Sequence, residues 1–171
     1  MELKTERLLL RPITEADAEA TLAYAKGPNV GPNAGWKPHE NLEETHQVLK
    51  EVFLDKENIW GIVFEDTLIG SIGLMDDPKR QNPHTKMLGY AIGEAYWGNG
   101  IMTEAARAVL AYGFETLQID LISGYCYTFN TRSRRVLEKC GMRLEGQLRM
   151  AEERSDGEIF DEFCFSITRG E

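Results

Sequence analysis

The spacing of hydrophobic positions changes repeatedly along the chain, and each change marks an element. Arg7–Pro12 is a short apolar run closed by proline, which reads as a first strand. Thr14 offers a hydroxyl and Asp17, three residues later, a carboxylate, a pairing that starts a helix. That helix runs to about Tyr24 and stops in the Gly-, Pro- and Asn-rich stretch 26–35, which predicts a long shaped loop. Leu42, Leu49, Val52 and Phe53 share one helical face and predict a second helix over Asn41–Asp55. Ile59–Phe64 and Leu68–Met75, separated by three turn residues, predict a hairpin.

A third strand of this series, Lys86–Ile92, runs into a glycine-bearing turn and a long helix over Ile101–Thr116. Leu121–Tyr127 reads as a strand. Asn130–Cys140 reads as a helix stopped by Gly141, the residue suited to a left-handed C-terminal cap. Met142–Met150 and Glu158–Ile167 follow as strands joined at Ser155-Asp156-Gly157. The order β-α-α-β-β-β-α-β-α-β-β predicts an α/β (α+β) fold. Its central sheet is mixed but largely antiparallel, with about seven strands and about four helices. No linker or repeat divides residues 1–171, which are expected to form a single domain.

Charge narrows the function. Nineteen basic against 28 acidic residues leave a net charge of −9, which argues against nucleic-acid or anionic-membrane binding. No apolar run approaches the ~20 residues of a membrane span. Cys126, Cys140 and Cys164 form no CxxC pair, and His39, His46 and His84 are scattered. Reduced thiols in a cytoplasmic protein without a metal centre are therefore expected.

The chemistry concentrates in Leu88–Ala105. A strand delivers the chain to Gly98-Asn99-Gly100, and a helix begins at once. Glycines let the backbone come close to a ligand, and successive N–H groups at a helix start form an anion site. The turn has no Lys for a P-loop, and Thr103 stands where a dinucleotide fingerprint needs its third glycine. A diphosphate is the expected anion, and a dinucleotide-binding oxidoreductase is disfavoured.

Trp97-Gly98-Asn99-Gly100-Ile101-Met102 with Thr103-Glu104-Ala105 resembles the acetyl-CoA signature of the GNAT N-acetyltransferases, in the branch containing the ribosomal-protein N-terminal acetyltransferases. Thr5–Pro12 resembles that branch's opening strand, Ile69–Leu74 its hairpin strand, and Asn130–Ser133 with Glu138–Gly146 its late segment.

The resemblance implies acetyl-CoA or CoA as co-substrate, with the N–H groups of Gly98, Asn99, Gly100, Ile101, Met102 and Thr103 on its pyrophosphate and Trp97 opening the signature. It implies backbone contacts from Tyr90 and Ile92, polar contacts from Asn130 and Ser133, an oxyanion donor in the Ile92 N–H, and a Ser133 hydroxyl near the sulfur. Trp36 and His39 fall where the fold shapes its acceptor pocket.

Two positions depart from the family pattern. Met102 is bulkier than the usual residue, and Leu137 stands where many members carry an acidic tyrosine. The implied acceptor is a protein or peptide N-terminus or a small cationic amine, attacked in a ternary complex by a monomer or homodimer. Glu94, Glu145, Asp161 and Glu162 are the candidate bases. A CoA-binding sensor without turnover is the alternative.

Overall fold

A computed structural model describes all 171 residues. Its strands are β1 (Leu3–Lys4), β2 (Leu8–Arg11), β3 (Ile59–Phe64), β4 (Thr67–Met75), β5 (Thr85–Ile92), β6 (Leu121–Tyr127), β7 (Arg143–Glu153) and β8 (Ile159–Thr168). The helices are α1 (Ala18–Ala25), α2 (Val30–Asn33), α3 (Leu42–Val48), α4 (Ile101–Glu115) and α5 (Thr131–Lys139). One eight-stranded sheet runs β1-β2-β3-β4-β5-β6-β8-β7, antiparallel throughout except between β5 and β6.

The expected α/β architecture is present, with one strand and one helix more than the pattern predicts. The extra strand, β1, is two residues long and pairs with β2. The extra helix, α2, is a single turn inside the Gly- and Pro-rich loop, too short to show a period. Around α3 the predicted face is also revised. The helix widens into a π turn at Leu49–Phe53. Leu49 is fully buried while Leu42 and Val52 are exposed, because a wider turn rotates later positions off the original stripe.

Alternation along the strands divides the hydrophobic residues between two faces. On one face, Leu88 and Ile92 of β5, Ile122 and Cys126 of β6, and Phe165 of β8 pack against Ile101, Ala105, Val109 and Leu137 of α4 and α5. On the other, Val63 and Leu68 meet Ala18, Tyr24, Ala25, Val30 and Leu49 beneath α1–α3. Met102, the bulky departure in the signature, is 6% exposed and packs into the α4 core.

Candidate active site

The two parallel strands do not stay together. Pairing between β5 and β6 runs from Thr85↔Leu121 to Leu88↔Gly124 and then stops, although β5 continues to Ile92 and β6 to Tyr127. Each strand leads directly into a turn and helix. Beyond Leu88 the two part, opening a cleft of about 690 Å3 through the sheet.

Register determines which backbone groups enter that gap. Gly93 N–H donates to the Ile69 carbonyl at 2.8 Å. Alternation then turns the polar groups of Gly89 and Ala91 toward β4 and those of Tyr90 and Ile92 toward the gap. The Ile92 carbonyl accepts from the Trp97 indole at 2.9 Å, and its N–H remains free.

At one end of the cleft Gly98 and Gly100 adopt φ of +79° and +75°, left-handed values that turn the chain sharply into α4. The first backbone bond of the helix is from Glu104 N–H to the Gly100 carbonyl. The N–H groups of Gly98, Asn99, Gly100, Ile101, Met102 and Thr103 have no intramolecular acceptor. Arg7 braces the turn from outside, binding Glu104 at 2.7 Å and the Asn99 carbonyl at 3.1 Å. The Arg132 guanidinium lies 4.5 Å over the Trp97 ring, and Arg132, Arg135 and Lys139 line the cleft. A locally positive site therefore sits in a chain of net charge −9.

On the α4/α5 face the Tyr90 hydroxyl is 2.8 Å from Ser133 Oγ and 3.2 Å from the Ser133 carbonyl. Burial raises the Tyr90 hydroxyl above its ordinary value, so it stays protonated. Burial also pushes the Cys126 thiol up to about 11, leaving no thiolate at neutral pH. Leu137, at the position of the family's tyrosine, is 1% exposed and packs on Gly124. Asn130 caps α5 through a 3.1 Å bond from Ser133 N–H to its amide oxygen.

The opposite face is lined by Tyr125, Tyr127, Glu152, Glu162, Asn33, Ala34 and Trp36. Tyr127 and Glu162 are register partners on β6 and β8 and so share this face. Glu162 is 5% exposed and forms an ion pair with Lys79. Burial raises the Glu152 carboxyl, and the adjacent Glu162 raises it further. The Tyr127 hydroxyl is buried without a hydrogen-bond partner. Burial and the Glu152 charge push it up to about 12.

The cleft gathers Trp36, Tyr90, Ile92, Trp97, Gly98, Gly100, Ile101, Met102, Thr103, Asn130 and Ser133 from the sequence-derived candidates. Asn99 is exposed at the rim. His39 lies outside the lining. It is 8% exposed, and its Nδ1 is 3.1 Å from Thr45 Oγ1, a core role that corrects the expected acceptor contact. Of the four candidate bases only Glu162 borders the cleft. Glu94 accepts from Asn29, Glu145 is paired with Arg80, and Asp161 accepts from Met150 N–H and Gln147. Glu152 had no distinguishing mark in the acidic stretch of the sequence, and the Tyr90 hydroxyl was hidden behind that residue's backbone role.

The parted parallel strands and the glycine turn aimed at the gap define a GNAT-type acetyltransferase. The acetyltransferase (GNAT) domain family matches residues 7–143, and the chain belongs to that family. It is 34% identical over 173 residues to the uncharacterized N-acetyltransferase YoaA of Bacillus subtilis, covering 98% of this chain and 96% of the relative. An acetyltransferase of the GNAT family from Bacillus anthracis superimposes with a TM-score of 0.88 at 29% identity, covering 100% of both chains. The microcin C7 self-immunity acetyltransferase MccE, solved with acetyl-CoA and AMP, shares the fold at a TM-score of 0.83 and 21% identity, with 96% and 93% covered.

Acetyl-CoA is the co-substrate of this family, and the residues present fit it. Six unpartnered N–H groups suit a diphosphate, and the gap-facing groups of Tyr90 with the Ile92 N–H suit an extended amide-bearing arm.

Proposed function

We propose that the chain transfers the acetyl group of acetyl-CoA to a primary amine by direct attack in a ternary complex. The acceptor class is a protein or peptide N-terminus or a small cationic amine. The observation carrying this reading is that one cleft joins a donor side of backbone N–H groups to an acceptor side bearing two carboxylates. A CoA-binding sensor has no use for the second side.

Bound acetyl-CoA supplies a thioester carbonyl to which the amine nitrogen adds. Residues 98–103 hold the pyrophosphate, supplemented by Arg132, Arg135 and Lys139. The Ile92 N–H donates to the carbonyl oxygen as negative charge develops there. Ser133 Oγ lies 2.8 Å from the Tyr90 hydroxyl, and with Tyr90 as the donor of that pair the Ser133 proton is available for the departing sulfur. A thiol's ordinary pKa of ~8.5 makes hydrogen bonding sufficient there, so a tyrosine at position 137 is dispensable.

Glu152 takes a proton from the acceptor ammonium, a step needed because an alkyl ammonium titrates near ~10. A C–N bond forms and the C–S bond breaks. The amine loses two protons, matched by one taken up at sulfur and one released to solvent. Cys126, protonated at neutral pH, is unsuited to an acetyl-thiol relay.

The test pairs calorimetric titration of acetyl-CoA with thiol release over a panel of small amines and short peptides. Micromolar binding and acceptor-dependent release are expected, with both lost in Gly100→Glu. Binding without release on any amine would favour the sensor.

A further inference from the structure

The acceptor face holds two carboxylates, Glu152 and Glu162, and Lys79 forms an ion pair with Glu162. We propose that Lys79 is a positioning residue for acceptor deprotonation: by holding Glu162 in an ion pair, it leaves Glu152 as the carboxylate that takes the proton from the acceptor ammonium. This rests on the acetyl-transfer reading above and extends it to a segment outside the family signature.

The geometry of the segment between β4 and β5 carries the argument. Asp77 is 6% exposed. It accepts from the Ser123 hydroxyl, from the Tyr125 hydroxyl at 2.9 Å, and from Lys79 N–H at 2.8 Å. These bonds fix the backbone at Lys79 against β6. The Lys79 ammonium then lies 4.2 Å from the centre of the Tyr125 ring and binds Glu162. Glu162 is the buried partner and Lys79 the exposed one, so removing the ammonium strands the Glu162 charge in its buried position.

The titratable groups around Glu152 are Glu162 on β8, Tyr125 and Tyr127 on β6, and Lys79 from the β4–β5 segment. From the segment 29–36 the near contact is Gly35, with no charge. Arg154, the residue after the end of β7, is engaged by Asp156 and Glu158. Burial and Glu162 raise the Glu152 carboxyl, while the Lys79 charge opposes that rise. Two adjacent anions without a cation would retain a proton between them and could not accept another. Lys79 relieves that repulsion.

The experiment uses the full chain with carboxyl-13C glutamate, followed by NMR from pH 4 to 9, with Glu152→Gln assigning the signal. Lys79→Gln is expected to raise the Glu152 midpoint by about one pH unit, and Lys79→Arg to restore it. Glu162→Gln removes the like charge and is expected to lower the midpoint, an independent reading should Lys79→Gln fail to fold.

An unmoved midpoint in Lys79→Gln, the same rise in Lys79→Arg, or no fall in Glu162→Gln overturns the proposal. The acid limb of kcat/KM for amine-dependent thiol release should move with the midpoint, and a stationary limb also overturns it. Shifted midpoints with no amine acetylated would instead retain the charge arrangement and sink the acetyl-transfer reading.

Discussion

The Asn130 side-chain nitrogen donates to the Asn33 carbonyl at 3.1 Å, while its amide oxygen accepts from Ser133 N–H at the same distance. One side chain thus ties the acceptor-side loop to the helix carrying the Ser133 hydroxyl. The two bonds separate chemically. Asn130→Asp keeps the capping oxygen and loses the donor, whereas Asn130→Ala loses both. Asn130→Ala should cost about 1 kcal/mol of stability through the cap. Asn130→Asp should retain most of the stability yet raise the acceptor KM several-fold. Steady-state kinetics beside urea unfolding checks this, and an unchanged acceptor KM in Asn130→Asp would uncouple the loop from the site.

Ser133 and Tyr90 should behave as a unit. A hydrogen bond to developing charge is worth ~1.5–3 kcal/mol, so Ser133→Ala should lower kcat by about 10- to 150-fold, with little change in acetyl-CoA affinity. Tyr90→Phe should cost less, because it removes the group orienting Ser133 and leaves the donor. The double variant should be little worse than Ser133→Ala alone. Additive losses would mean that the two hydroxyls act separately.

How much was legible in advance follows the range of each interaction. The glycine turn, the helix after it and the Asn130 cap are local, and each lies in a few consecutive residues. The α/β order followed from periodicity for the same reason. The one-turn α2 and the π turn at Leu49–Phe53 carry no period of their own. The acceptor side was the least legible part. Glu152 and Glu162 lie ten positions apart on strands whose register is displaced by bulges. Only sheet pairing distinguishes them from Glu145 and Asp161. His39 shows the converse error, since a polar residue beside a loop tryptophan is here fastened to Thr45 in the interior.

Acid stability should depend on Asp17. Burial alone would raise its carboxyl, but the Arg11 guanidinium at 2.7 and 2.8 Å and the N–H and hydroxyl of Thr14 outweigh that and lower it. A folded value below the unfolded ~3.9 gives stability that is fully present above the unfolded value. That stability is lost as pH falls through the folded one. Asp17→Asn should cost on the order of 2 kcal/mol at pH 7, and the gap from the parent chain should narrow in acid, as pH falls through the folded value. Urea midpoints at pH 7 and in acid check this, and a gap independent of pH would rule out the carboxylate as its source.

Gly35 is where backbone conformation and acceptor chemistry meet. Its φ of +88° is left-handed, and a Cβ there would lie 2.7 Å from Glu152 Oε1 and 3.2 Å from the Tyr127 hydroxyl. Gly35→Ala therefore carries two penalties. The left-handed conformation costs ~1–2 kcal/mol for any residue with a Cβ, and the methyl group must displace the Glu152 carboxylate. Gly157, at the β7–β8 turn with φ of +83° and no neighbour within 4 Å, carries the first penalty alone. Both alanine variants should lose comparable thermal stability. Gly35→Ala should also lower amine-dependent thiol release about tenfold while calorimetric acetyl-CoA affinity stays unchanged, and Gly157→Ala should not. Equal activity in the two variants would mean that Glu152 can move aside without loss, which is incompatible with its taking the acceptor's proton from a fixed position.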